Sequence, residues 1–96
     1  MRILMKVHGF VQGVGYRALV KRAAEKYMVN GYVRNLEDGS VEIYADAPLD
    51  AIESFEKEIR TNIKNGPVVM HIEKFDPKDM NLPEKLSVLR GFVVLH

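Results

Sequence analysis

The chain contains no cysteine, which excludes a disulfide framework and thiolate chemistry. Nothing in it approaches the ~20 consecutive apolar residues that a membrane-spanning helix needs. Neither basic nor acidic residues are in marked excess. Fourteen basic against 13 acidic residues leave a net charge of +1, too little for a broad electrostatic pull toward nucleic acid or a membrane, though compatible with one local positive site. Histidines are few and scattered, at His8, His71 and His96, with no close pair of the kind that ligates zinc. No metal and no other cofactor is expected. There is no internal repeat and no low-complexity tract. The opening run Met1-Arg2-Ile3-Leu4-Met5-Lys6-Val7 is too short and too charged for a secretory leader, so a cytoplasmic protein is expected.

What is present is 96 residues, 47% apolar and 28% charged. That is the composition of one soluble globular domain, residues 1–96. A domain of this size buries only about 60% of its unfolded surface, so its core must be compact. No large apolar patch is left unexplained, and a monomer is the expectation.

The periodicity reads clearly. Ile3, Met5 and Val7 alternate with Arg2, Lys6 and His8, a half-buried strand. After the glycine-punctuated stretch Gly9 to Gly15, the residues Tyr16, Leu19, Val20, Ala23, Ala24 and Tyr27 form one face of an amphipathic helix. Asn30-Gly31 ends the helical region, and Tyr32 to Asn35 reads as a second strand. Asp38-Gly39 predicts a hairpin turn into a third strand, where Val41, Ile43 and Ala45 alternate with polar neighbours. Pro48 suits the first turn of a second helix, whose inner face is Ile52, Phe55, Ile59 and Ile63, stopped by Asn65-Gly66-Pro67. Val68 to Phe75 is a fourth strand, Asp76 to Glu84 a surface loop, and Val88 to Leu95 a fifth strand. The order β-α-β-β-α-β plus a C-terminal strand is an α+β, ferredoxin-like split βαβ: two helices on one face of a mostly antiparallel sheet.

This topology gathers chemistry at one edge. In a βαβ unit the two strands run parallel through a right-handed crossover. With the third strand between them, their C-terminal ends lie roughly 10 Å apart. The loop Gln12-Gly13-Val14-Gly15-Tyr16-Arg17, the start of the first helix and Asn35 therefore meet. Glycines let successive N–H groups turn toward one point, and a helix N-terminus adds free N–H groups and a positive dipole end. Arg17 brings a planar fork that matches two phosphate oxygens. A tight strand-to-helix turn with a surface arginine explains the glycine spacing equally well. A third reading is the dinucleotide fingerprint, since Gly13-x-Gly15-x-x-Ala18 follows a strand and opens a helix, with Asp38 further on. The hairpin at Asp38-Gly39 and the short chain oppose it, because that fold continues with more parallel strands and a second half.

Val7-His8-Gly9-Phe10-Val11-Gln12-Gly13-Val14-Gly15-Tyr16-Arg17 resembles the first signature of the acylphosphatase family, and Asn30-Gly31-Tyr32-Val33-Arg34-Asn35, with Asp38-Gly39 and Val41-Glu42, resembles the second. Gly66-Pro67 falls where the family has Gly-Pro before its fourth strand. The resemblance spans essentially the whole chain. It implies hydrolysis of acyl phosphates to a carboxylate and inorganic phosphate, without a metal. It also implies that Arg17 is the catalytic phosphate-binding arginine, that backbone amides of Gln12, Gly13, Val14, Gly15 and Tyr16 complete the cradle, and that Asn35 orients the attacking water. Tyr16 stands where phenylalanine is usual, which adds a hydroxyl beside the loop. Tyr32 replaces the usual tryptophan, and Tyr27-Met28 a common Leu-Gly pair.

Two residues suffice for such a reaction because a carboxylate leaves without prior protonation. What remains is positioning, charge stabilisation and in-line alignment of water. His8, on the polar side of the first strand, is read as structural, His71 as solvent-facing, and Glu53, Glu56 and Glu58 as the exposed side of the second helix. A catalytically silent phosphate-binding or protein-interaction module would explain the loop but gives Asn35 no role. RNA binding would need exposed strand aromatics, for which only Tyr32 and Tyr44 are candidates. A carbamoyl-phosphate-handling domain of larger hydrogenase-maturation proteins would also fit the resemblance.

Overall fold

The computed structural model describes residues 1–79 and 90–96. Among the described residues, five strands and two helices follow the order β1 (Arg2–Phe10), α1 (Tyr16–Lys26), β2 (Asn30–Asn35), β3 (Val41–Asp46), α2 (Leu49–Ile59), β4 (Val68–Phe75) and β5 (Phe92–Leu95), with a short 3-10 turn at Pro77–Asp79. The sheet order is β4-β1-β3-β2-β5. β3 lies between β1 and β2 and is antiparallel to both. β4 is antiparallel to β1, while β5 runs parallel to β2. Of the surface loop expected from Asp76 to Glu84, residues 80–84 lie outside the described residues, as do positions 88 and 89 of the expected fifth strand.

The period of two in β1 separates the two faces of the sheet. Ile3, Met5 and Val7 join Val33, Ile43 and Ala45 in the main core. Tyr16, Val20, Ala23 and Ala24 of α1 and Ile52, Phe55 and Ile59 of α2 pack onto that same face. Leu4, Tyr32 and Tyr44 form a smaller cluster on the opposite face. Phe55 is fully buried, and truncating such a side chain to alanine costs about 3–5 kcal/mol.

Three local expectations are corrected. Asn30 and Gly31 open β2 rather than closing the helical region. Gly31 is required there for space, because a Cβ would lie 1.8 Å from the Tyr44 carbonyl oxygen of the neighbouring strand. The helix ends earlier, through Met28, which takes a left-handed φ of 56° while the Val29 amide donates back to the Ala24 carbonyl. Finally, Ile63 is not on the inner face of α2 and is largely exposed. α2 stops at Ile59, and the chain turns so that the Ile63 amide donates to the Pro67 carbonyl.

Candidate active site

Three parallel strands end at one edge of the sheet. Val41 of β3 is paired with Val7 on one side and with Asn35 on the other. That register puts the end of β2 two strand spacings, roughly 10 Å, from β1, whose continuation is the glycine loop. On the far side Arg34 pairs with Leu95, so β5 reaches the same edge. Val33 belongs to the core on the helix face. Asn35, two residues on, projects to that face as well.

An open pocket of about 440 Å³ occupies this edge. Gly13, Gly15, Tyr16, Arg17 and Asn35 line it, together with Lys21 of α1 and Val94 and His96 of the β5 end. Two other residues expected in the cradle, Gln12 and Val14, flank the lining. Val14 sits exposed at the loop tip, and the Gln12 side chain turns away to the β2–β3 hairpin, donating to the Leu36 and Ser40 carbonyls at 2.7 and 2.8 Å.

The loop conformation follows from its glycines. Gly13 and Gly15 have φ of 75° and 80°, with open space where a Cβ would be. Backbone angle, not crowding, selects glycine there, since an L residue in this region costs roughly 1–2 kcal/mol. Gly15 is the N-cap of α1, and no side chain caps that end. The first amides of a helix have no intrahelical acceptor, so the α1 terminus offers N–H donors beside the Arg17 guanidinium. No acidic side chain occupies its first turn.

Arg17 is half-buried. Its Nη1 donates to the Leu95 carbonyl at 3.0 Å and lies 3.2 Å from His96 Nδ1. Nothing in the residues around His96 points to the site. The missing signal was the parallel pairing of β5 with β2, which a strand's own periodicity does not reveal. The Tyr16 hydroxyl also differs from expectation. It does not lie beside the loop but runs into the core and donates to the Ile59 carbonyl at 2.9 Å. Burial pushes that phenol well above its ordinary pKa, so it remains a protonated donor.

The remaining candidates fall elsewhere. His8 hydrogen-bonds with Glu73 at 2.6 Å and stacks on the exposed His71 ring, on β1 and β4. Glu56 pairs with Lys74 and Arg60, and Glu58 with Lys26. Both glutamates are therefore partly covered rather than freely exposed. Tyr32 and Tyr44 are buried and stacked on each other with ring centroids 5.8 Å apart, which leaves neither ring free for a base. Asp38 sits in the hairpin turn, paired with Lys6 and accepting from the Ser40 amide. β3 then runs antiparallel, which removes the dinucleotide reading. Among the described residues no group of three or more histidine, aspartate or glutamate side chains is arranged to hold a metal ion, and no helix is long and apolar enough to cross a membrane.

A family model described as acylphosphatase matches residues 3–94. An acylphosphatase of Enterococcus faecalis is 39% identical over 89 residues, covering 93% of this chain and 98% of that protein. One from Listeria welshimeri is 44% identical over 69 residues, covering 72% and 74%. Among solved structures, the acylphosphatase of Bacillus subtilis superposes with a TM-score of 0.79 at 31% identity, covering 99% of this chain and 98% of that one. HypF of T. kodakarensis superposes with a TM-score of 0.80 at 29% identity, covering 100% of this chain but 12% of that one.

Proposed function

Because the chain belongs to the acylphosphatase family, whose activity is the hydrolysis of acyl phosphates, we propose a division of labour between two ends of its sheet edge. Arg17 and the loop amides from Gln12 to Tyr16 hold the phosphoryl group. Asn35 orients the water. The observation that carries this is the convergence of Arg17, Gly13, Gly15 and Asn35 on one pocket, at strand ends separated by a single strand.

The chemistry follows from what each group can do. The guanidinium and the α1 amides present several donors to the equatorial oxygens, where charge accumulates as the phosphoryl group transfers. When phosphate enters, its oxygens compete with the Leu95 carbonyl and His96 for Arg17. The Asn35 carboxamide can accept a hydrogen bond from water through its oxygen and donate through its nitrogen, but it is not a base. Its part is to place the water in line with the bond to the leaving carboxylate. That carboxylate departs unprotonated, and the water's proton passes to a phosphate oxygen. No general acid is needed, and no metal is assigned a part. All the groups this reading uses lie in one chain, so the reaction is assigned to a monomer acting on small acyl phosphates.

Hydrolysis of benzoyl phosphate in the presence of a chelator tests it. Wild type should turn over. Arg17→Ala should lose roughly a hundred- to a thousandfold in kcat/KM, the cost of removing a preorganised donor, and should bind phosphate more weakly. Asn35→Ala should lose about a hundredfold or more in kcat with phosphate binding retained. A wild type no faster than background would leave the silent phosphate-binding module as the better account.

A further inference from the structure

Gln12 precedes the two loop glycines, and its backbone is a candidate part of the cradle. Its side chain does something different. The carboxamide nitrogen lies 2.7 Å from the Leu36 carbonyl oxygen and 2.8 Å from that of Ser40. These two carbonyls belong to the turn that immediately follows Asn35. The same turn is closed by its own bonds, Leu36 amide to Ser40 carbonyl and Gly39 amide to Leu36 carbonyl. Each carbonyl has a second lone pair, and the two hydrogens of one –NH₂ group fill them. Both partners are pure acceptors, so the nitrogen end of the amide must face the turn.

We propose that Gln12 is a positioning residue for the reaction: its side chain fixes the distance between the phosphate cradle and Asn35. The inference rests on the roles proposed above for Arg17 and Asn35. Its physical basis is a chain of direct connections. Gln12 is followed directly by Gly13 and Gly15, whose φ of 75° and 80° set the loop. Asn35 is the last residue of β2, exposed to solvent and, among the described residues, paired in the sheet only with Val41 of β3. β1 and β2 are not neighbours in the sheet, so no backbone ladder joins the loop to the end of β2. The Gln12 carboxamide supplies a direct bridge across that gap. In-line attack tolerates little error: a displacement of about 1 Å can cost a hundredfold in rate. Losing the bridge would let the turn after Asn35 shift while the cradle keeps its own glycine-determined shape.

The test compares Gln12→Met, which keeps the length but cannot donate, and Gln12→Glu, which presents a carboxylate to two carbonyl oxygens. Each is made in the wild-type and Asn35→Ala backgrounds, with thermal melting to check folding. In the wild-type background kcat for benzoyl phosphate should fall about tenfold, while the inhibition constant of inorganic phosphate should change less than about twofold. In the Asn35→Ala background the same substitutions should change kcat less than about twofold, because there is no longer a placed carboxamide to misplace. A readout independent of turnover is the Asn35 side-chain amide resonance in phosphate-bound protein, which should move in Gln12→Met. Equal fractional losses in both backgrounds, weakened phosphate binding with kcat unchanged, or an unmoved Asn35 resonance would overturn the proposal. A wild type without activity would count against the catalytic reading instead, and the resonance would still decide whether Gln12 positions Asn35.

Discussion

The two helices are alike in length, 11 residues each, and both begin without a side-chain N-cap, yet their ends are treated differently. α2 supplies its own negative charge: Asp50 stands in its first turn and accepts from the Ala51 amide. At its other end the Ile59 carbonyl is satisfied by the Tyr16 hydroxyl. α1 has no acidic residue in its first turn and carries Arg17 there instead, a cation at the positive end of a helix dipole, which is unfavourable by about 0.3–1 kcal/mol. Its other end bends through Met28 in a left-handed conformation that glycine adopts more easily. One helix is finished for stability. The other has an N-terminus left short of negative charge, as a site for an anion from solution should be.

Supplying that charge internally should give the largest effect. Ala18 is exposed and lines the pocket, so Ala18→Glu brings a carboxylate to the first turn of α1. Activity toward benzoyl phosphate should fall roughly ten- to a hundredfold through repulsion of the anionic substrate, while the melting midpoint rises by the equivalent of about 0.3–1 kcal/mol. A variant that gains stability and keeps full activity would break the contrast between the helices. Next in size is Tyr16→Phe, which removes the hydroxyl donor from the end of α2. Chemical denaturation should show a loss of about 1 kcal/mol, and kcat should hold, since that hydroxyl points away from the pocket.

Met28→Gly should act in the opposite direction. It relieves the left-handed strain at an exposed position and should stabilise the protein by about 1 kcal/mol, with activity unchanged. The smallest effect belongs to Asp50→Asn. Loss of the α2 first-turn charge should cost about 0.3–1 kcal/mol at low salt, less at high salt. Kinetics should be indistinguishable from wild type, in contrast with the charge added at Ala18.

Much of this architecture could be read from local pattern. The alternation Ile3-Met5-Val7, the helical stripe from Tyr16 to Ala24 and the Asp38-Gly39 turn each encode an element within a few residues, and the right-handed crossover then brings Arg17 and Asn35 to one edge. Legibility failed where the deciding contact is distant in sequence. Ile63 continues the helical spacing of Ile59, but the chain has already left α2 to bond with Pro67. Gly31 reads as a helix stop in the sequence because its actual constraint, the approach of Tyr44, lies on another strand. His96 reaches Arg17 only through the pairing of β5 with β2. The direction of the Tyr16 hydroxyl depends on where α2 ends, and the reach of Gln12 depends on the hairpin; neither is written in the residues beside them.

In the proposed mechanism, water held at the β2 end attacks phosphorus held at the α1 end. A single turnover of benzoyl phosphate in oxygen-18-labelled water, with product analysis by mass spectrometry, separates attack at phosphorus from attack at the acyl carbon. Attack at phosphorus puts the label in inorganic phosphate and none in benzoate. Label in the benzoate carboxylate would mean attack at the acyl carbon, and the roles given to Arg17 and Asn35 would be wrong.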